Sequence, residues 1–403
     1  MSVREIAGGI TAAQGFRAAA TRAGLQSGPG DDLALILTDR GPVAAAATFT
    51  TNRLVAAPVV LSRRALRASG GRAAAIVVNA GCANAGTGAA GLADARRTRA
   101  LVAERCGVAE RHVLVASTGL IGSRLDVDRI AAALPVLEPL AGRRSADASA
   151  RAIMTTDTLP KQAAVELEPG RGPTVRIGGM AKGAGMIHPQ MATMLAFLAT
   201  DAPIDPGTLH AVLGEVVTRT FNQVSIDGDP STNDSVFLLA SGASGGPMLA
   251  GGRLTAFAAA LETVCRSLAR QIAADGEGAR HRIDVSVTGA AGDADARRIA
   301  RAVGSSNLVK AAVHGADPNW GRIAAAAGRS GARLDPDRLA VRIGAVTVYD
   351  GAPLAFDERV ASRALRGKVV GIGLDLRLGS GSGMAWGCDL SAEYVSINSE
   401  YRT

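Results

Sequence analysis

Apolar positions along the chain recur in two periods, and glycine, proline and aspartate punctuate the breaks between them. In the first third, Leu33–Thr38 and residues 44–50 are apolar runs flanking Asp39-Arg40-Gly41, which predicts a hairpin. Residues 74–79 predict a short buried strand running into the glycine-rich stretch 81–91, followed by a helix through 95–105. A second apolar strand over 113–116 ends abruptly at Ser117-Thr118-Gly119, and chemistry is often placed at such strand ends. The second half opens with a punctuated helix: Asp205 caps it, Pro206 takes the first turn, and Leu209, Val212, Leu213 and Val216 form one stripe. Leu254, Phe257, Leu261, Cys265, Leu268 and Ile272 recur at helical spacing. Ile283, Val285 and Val287 alternate as in a strand, as do Val370, Ile372, Leu374, Leu376 and Leu378. Helices and strands interleave without a strict βαβ repeat, and several strands show one-face alternation. This predicts α/β architecture as an α+β layered sandwich of mixed sheets and helices, rather than a doubly wound sheet.

Composition narrows the function classes. At 403 residues, 47% hydrophobic and 20% charged, the chain is globular and should hold two or three packed units. The 49 glycines do not signal disorder, because valine, leucine and isoleucine are spread through periodic segments. No secretory signal is read at residues 1–15, and charged residues or glycine interrupt every apolar run short of the ~18 residues a membrane span needs. A soluble, cytoplasmic protein is expected, with no membrane partner. The four cysteines, Cys82, Cys106, Cys265 and Cys388, form no Cys-x-x-Cys pair, so neither a metal site nor a disulfide framework is expected. A net charge of +8 raises nucleic acid as a partner, but the arginines are dispersed and aromatics make up 3%, so no nucleic acid is expected.

One segment is odd as structure. Residues 178–197 join a flexible glycine run, a proline, and an apolar run entered through Thr193. The plainer reading makes Thr193 an N-cap for the apolar run. The sharper one has its hydroxyl attack the preceding carbonyl of a strained peptide in an N-to-O acyl shift, after which water hydrolyses the resulting ester and so cuts the chain between Ala192 and Thr193. A free α-amine with a pKa near ~8 can then accept the proton of its own hydroxyl, so one residue is both nucleophile and base. His112, His188, His210, His281 and His314 show no hydrolase pattern and no Gly-x-Ser-x-Gly elbow appears, although a triad assembled only by folding stays open.

Lys182-Gly-Ala-Gly-Met-Ile-His-Pro-Gln-Met-Ala-Thr-Met-Leu-Ala-Phe197 resembles the cleavage signature of the ornithine acetyltransferase (glutamate N-acetyltransferase) family. Similar stretches run in order through residues 49–53, 116–122, 154–158, 224–234, 275–278, 317–323, 385–390 and 398–403, so the resemblance covers essentially the whole chain. It implies self-processing into an N-terminal chain, residues 1–192, and a C-terminal chain, 193–403, that begins with the nucleophile, the two assembling as an α2β2 heterotetramer. It implies acetyl transfer from N-acetylornithine to glutamate through an acetyl-threonine, with no cofactor. Acetyl-CoA as a further donor stays open.

The resemblance also assigns roles. Thr118 (hydroxyl) and Gly119 (backbone N–H) would hold the tetrahedral oxyanion, where one donor is worth about 3–4 kcal/mol of barrier; read alone, Ser117-Thr118-Gly119 is a plain turn. Lys182 suits a substrate carboxylate. Thr155 and Thr156 would bind substrate, with the inward hydroxyl undecided. Glu277, in a tight turn after the long helix, would face the substrate amine. Asn398 and Thr403 belong to a tail that would fold back over the site. Asp227, Asp229, Asn233 and Asp234 lack the spacing of a calcium loop and read as a turn with Asx hydrogen bonds. Departures from the family pattern, at His188, Gln190, Gly81-Cys82-Ala83-Asn84, Pro230 and Ser305-Ser306-Asn307, bear on substrate choice. The rivals are a paralogue acylating another amine, an N-terminal-nucleophile peptidase, and a non-catalytic basic binding protein.

Overall fold

Among the described residues, two of three sheets lie face to face because each has strands that are apolar on both sides. The computed structural model describes residues 2–168, 172–188 and 194–400. A four-stranded sheet runs in the order Phe16–Thr21, Leu33–Thr38, Ala75–Asn79, Val113–Ser117. A seven-stranded sheet runs Ser2–Glu5, Lys161–Glu168, Val175–Lys182, Leu195–Thr200, Ser235–Ala240, Val43–Phe49, Arg72–Ala73. Ala34, Ile36, Ile76, Val78 and Leu114 of the first meet Ala45, Ala47, Phe197, Phe237 and Leu239 of the second in one buried core. The alternate residues face outward. Leu33, Leu35, Val77 and Val115 pack against Leu61, Val102 and Ile130, on helices Ala57–Ala68, Gly88–Cys106 and Val127–Ala133. Ala196, Leu198, Val236 and Leu238 pack under Leu213 and Leu261 of helices Pro206–Arg219 and Gly251–Ala274. The result is a helix, sheet, sheet, helix sandwich, the layered mixed architecture expected.

A six-stranded sheet has its own core. Its order is Val224–Ser225, Gly381–Cys388, Arg282–Ala290, Val369–Asp375, Ala340–Ile343, Val346–Asp350. Ile283, Val285, Val287, Val370, Ile372 and Leu374 point into that core, as alternation requires, and Leu376 is buried just past the strand end. The punctuated helix also forms as read: the Asp205 carboxylate accepts from the Thr208 N–H at 3.0 Å, and Pro206 sits in the first turn.

The hairpin expected around Asp39-Arg40-Gly41 does not form. Both flanking runs are strands, but Leu33–Thr38 pairs with Phe16–Thr21 and Ala75–Asn79, while Val43–Phe49 pairs with Ser235–Ala240 and Arg72–Ala73. Both edges of each strand are occupied, so the turn carries the chain from one layer to the other. The Thr38 hydroxyl donates to the Gly41 carbonyl at 2.6 Å and fixes that crossover. The N-cap reading of Thr193 also fails at the segment it would cap, because Leu195–Thr200 is a fully buried strand. Among the described residues no helix is long and apolar enough to cross a membrane, and the four cysteines are free thiols.

Candidate active site

The two facing sheets and the long helix converge on a cavity of about 140 Å³, whose lining includes Thr118, Gly119, Thr155, Thr156, Lys182, Glu277 and Asn398. Seven of the ten residues singled out in the sequence therefore share one space. Ala192, Thr193 and Thr403 lie outside the described residues. Met194, the residue joined to Thr193, lines the same cavity, and its carbonyl accepts from the Ser235 N–H at 3.0 Å.

Thr118 and Gly119 follow the Val113–Ser117 strand directly. Gly119 has φ +127°, and a Cβ there would come within 2.3 Å of the Gly81 carbonyl carbon, so only glycine allows these two backbone segments to touch. Its N–H has no acceptor among the described residues. The loop is clamped from behind. Asn79 accepts from the Ser117 hydroxyl at 2.6 Å and donates to the Cys82 carbonyl at 2.9 Å. Asn233 donates to the carbonyls of Ala83 at 2.7 Å and Ser117 at 2.8 Å. Donors held before substrate arrives need no reorganisation during reaction.

Lys182 ends the Val175–Lys182 strand and is buried. Its ammonium donates to the Thr155 hydroxyl at 2.6 Å and to the Thr118 hydroxyl at 3.3 Å. Thr155 is thus the threonine that bonds the cation, while Thr156 also reaches the cavity. Burial pushes the Lys182 ammonium below the usual lysine range, and the Asp157 carboxylate 3.7 Å away pulls it partly back. For Asp157, burial works to raise the carboxyl, but the charges of Lys182 and Lys161, with the Gly183 N–H, overcome it and hold the group at about 2.

Glu277 sits in the turn after helix Gly251–Ala274, where its N–H donates to the Ala184 carbonyl at 2.9 Å. Asn398, on helix Ala392–Glu400, donates to the Glu277 carboxylate at 2.8 Å, so the tail reaches the site. Gly185 leaves room for that carboxylate: a Cβ there would lie 2.4 Å from it. Asp227 accepts from the backbone N–H groups of Met186 and Ile187 and, at 3.2 Å, from Asp229, the Asx turn read in the sequence. Burial, with the nearby Asp227 carboxylate, raises the Tyr394 phenol.

Among the described residues no histidine lines the cavity. His314 pairs with Asp389 at 2.7 Å, but neither residue lines it. His188 contacts the Ser225 hydroxyl at 3.0 Å, and burial, with Arg301, lowers its ring to about 4, so it is neutral at pH 7. Among the described residues no cluster of His, Cys, Asp and Glu has the makings of a metal site.

The model of the ArgJ family matches residues 17–403. The chain belongs to the ArgJ family. The arginine biosynthesis bifunctional protein ArgJ of Symbiobacterium thermophilum is 49% identical over 402 residues, covering 99% of each chain. The protein of the same name from Thermus thermophilus is 50% identical over 392 residues, covering 97% of this chain and 98% of its own. A solved ornithine acetyltransferase from Mycobacterium tuberculosis, complexed with ornithine, is 39% identical and covers 47% of this chain and 100% of that chain, at a TM-score of 0.43.

Sequence reasoning had missed several residues that build this ArgJ-family cavity. Asp157, Lys161 and Asp275 form a buried ionic chain behind Lys182. Asn79 belongs to the clamp and Tyr394 lines the cavity, while Asn233, the other half of the clamp, and Asp227 read in the sequence only as members of an Asx turn. Local sequence does not reveal these roles, since the partners lie up to 150 positions away.

Proposed function

We propose that this chain is a glutamate N-acetyltransferase of the ornithine acetyltransferase type, acting in arginine biosynthesis, and that Thr193 is its nucleophile after self-cleavage of the Ala192–Thr193 bond. The observation that carries this reading is the gathering of Thr118, Gly119, Thr155, Thr156, Lys182, Glu277 and Asn398 around a cavity that Met194 also lines. Family membership and the name shared by relatives at 49% and 50% identity support it.

In this reading the α-amine of Thr193 takes the hydroxyl proton as the oxygen attacks the acetyl carbonyl of N-acetylornithine. The Gly119 N–H and Thr118 hydroxyl receive the negative charge that develops on the carbonyl oxygen. The C–N bond then breaks, the proton passes to the departing amine, and ornithine leaves an acetyl ester on Thr193. The α-amine of glutamate attacks that ester, releases N-acetylglutamate and restores the hydroxyl. Lys182 holds the substrate carboxylate and Glu277 faces the amine, with Asn398 and Thr403 closing the site. The processed chains, 1–192 and 193–403, would assemble as α2β2 in the cytoplasm. The word bifunctional in the relatives' names favours acetyl-CoA as a second donor.

Mass spectrometry of the purified protein tests the nucleophile: two fragments are expected, the second beginning at Thr193. Incubation with acetyl-labelled N-acetylornithine should place label on that residue, and Thr193→Ala should be uncut and unlabelled. A single intact chain with full activity overturns the reading. Glutamate should accelerate turnover; hydrolysis indifferent to glutamate would point to a peptidase. Label transferred from acetyl-CoA to glutamate would establish the second donor.

A further inference from the structure

Behind the cavity lies a buried ammonium that takes no part in the acetyl transfer. Lys161 opens the Lys161–Glu168 strand with its side chain 1% exposed. Its Nζ donates to the Asp157 carboxylate at 2.7 Å, the Asp275 carboxylate at 2.5 Å and the Leu159 carbonyl at 3.2 Å, which uses every proton it carries.

The two carboxylates belong to different walls. Asp157 accepts from the N–H groups of Thr155 at 3.1 Å and Gly183 at 2.6 Å, and lies 3.7 Å from the Lys182 ammonium. It therefore fixes the residues on either side of the cation. Asp275 follows the long helix two positions before Glu277, and accepts from the Thr158 N–H at 3.0 Å, from its hydroxyl, and from the Leu159 N–H at 3.3 Å. Without Lys161, two buried carboxylates would face each other across this junction with no charge between them, and Asp157 would keep only Lys182 as a cationic partner.

We propose that Lys161 is a positioning residue for substrate recognition: it ties the turn beside Lys182 to the turn carrying Glu277, and so keeps the Lys182 cation directed at the carboxylate of the acetyl donor. This rests on the proposed pairing of Lys182 with the substrate carboxylate. Lys161 touches no substrate. Its removal would let Asp157 draw the Lys182 ammonium back from the cavity, which weakens selection for the carboxylate ahead of the chemistry on the acetyl group.

The test compares two donors, N-acetylornithine and N-acetylputrescine, the same molecule without its carboxylate, with glutamate as acceptor. The ratio of their kcat/KM values does not depend on how much enzyme has folded or matured, so a merely structural defect leaves it unchanged. A charge-assisted hydrogen bond to the carboxylate should make the wild-type ratio roughly tenfold to a hundredfold. Lys161→Met should cut that ratio by about tenfold, chiefly through a raised KM for N-acetylornithine. Asp275→Asn removes one end of the tie while leaving Lys161 in place, and should reduce the ratio in the same direction; it also serves should Lys161→Met fail to accumulate. Lys182→Met is the reference. If it leaves the ratio at the wild-type value, the assignment of Lys182 to the carboxylate is wrong. If it abolishes the preference while Lys161→Met and Asp275→Asn both keep it, the positioning role of Lys161 is overturned.

Discussion

Replacing Gly119 with alanine tests the proposed oxyanion contact apart from the rest of the site. The new Cβ would stand 2.3 Å from the carbonyl carbon of Gly81 and 2.6 Å from the Cys82 nitrogen, where ordinary contact between such atoms is about 3.5–4.0 Å. Both neighbours are backbone, held by Asn79 and Asn233, so the loop bearing Gly119 must yield, by about an ångström. A donor misplaced by that much loses most of its effect: about 10²–10³-fold in kcat, equivalent to about 3–4 kcal/mol. The φ of +127° adds a folding cost of about 1–3 kcal/mol. Gly122 provides the control, since its φ is +86° in the same loop but a Cβ there would meet nothing within 4 Å. Gly122→Ala should show the folding cost alone. Steady-state acetyl transfer and urea unfolding should therefore separate the variants: Gly119→Ala loses kcat with KM for both substrates changed only a few-fold, while Gly122→Ala keeps kcat. If Gly119→Ala retains kcat within about threefold, or both variants lose it equally, the N–H of residue 119 does not bear the developing charge.

The same geometry predicts other outcomes. Gly185→Ala would place a Cβ 2.4 Å from the Glu277 carboxylate and should raise KM for the amine substrate, with the tail contact to Asn398 lost in a nuclear magnetic resonance or proteolysis assay of the C-terminal helix. Asp157→Asn should cost about 3–5 kcal/mol at pH 7, because it leaves the buried Lys182 ammonium without its nearest carboxylate and Lys161 with Asp275 alone. The Asp157 carboxyl is held at about 2 in the folded chain, below its unfolded value. Its contribution is therefore complete above the unfolded pKa of about 3.9 and is lost as pH falls through 2, so the stability gap between wild type and Asp157→Asn should narrow in urea titrations below about pH 4. Phe257→Ala, fully buried beneath the seven-stranded sheet, should cost about 3–5 kcal/mol of unfolding free energy with little change in KM.

Much of the scaffold was legible because its elements are locally determined. Asp205 and Pro206 specify a helix start whatever surrounds them, and the spacing of Phe257, Leu261, Leu268 and Ile272 can bury one stripe only as a helix. Strand partnership was not legible. Residues 39–41 read as a hairpin turn because local grammar cannot show that each flanking strand has both edges filled, in one case by a segment whose Ala240 pairs with Ala44. The site divides similarly. Thr118, Gly119, Lys182 and Glu277 stood out through family resemblance, not through spacing. Asp157 and Lys161 are four apart, but Pro160 between them rules out a helical pair, and Asp275 completes the network from 114 positions further on.

The order of strands in the seven-stranded sheet bears on what a backbone cut between residues 192 and 193 would leave behind. Leu195–Thr200 and Ser235–Ala240 sit in the middle, with Val175–Lys182 on one flank and Val43–Phe49 on the other. The later polypeptide is thus braided into the earlier one, and the nick severs no tertiary contact in that sheet. Denaturing the mature enzyme would then be close to a one-way journey: two strangers would have to meet and rebuild a shared sheet, so recovery should depend on concentration, whereas an uncut Thr193→Ala chain refolds alone.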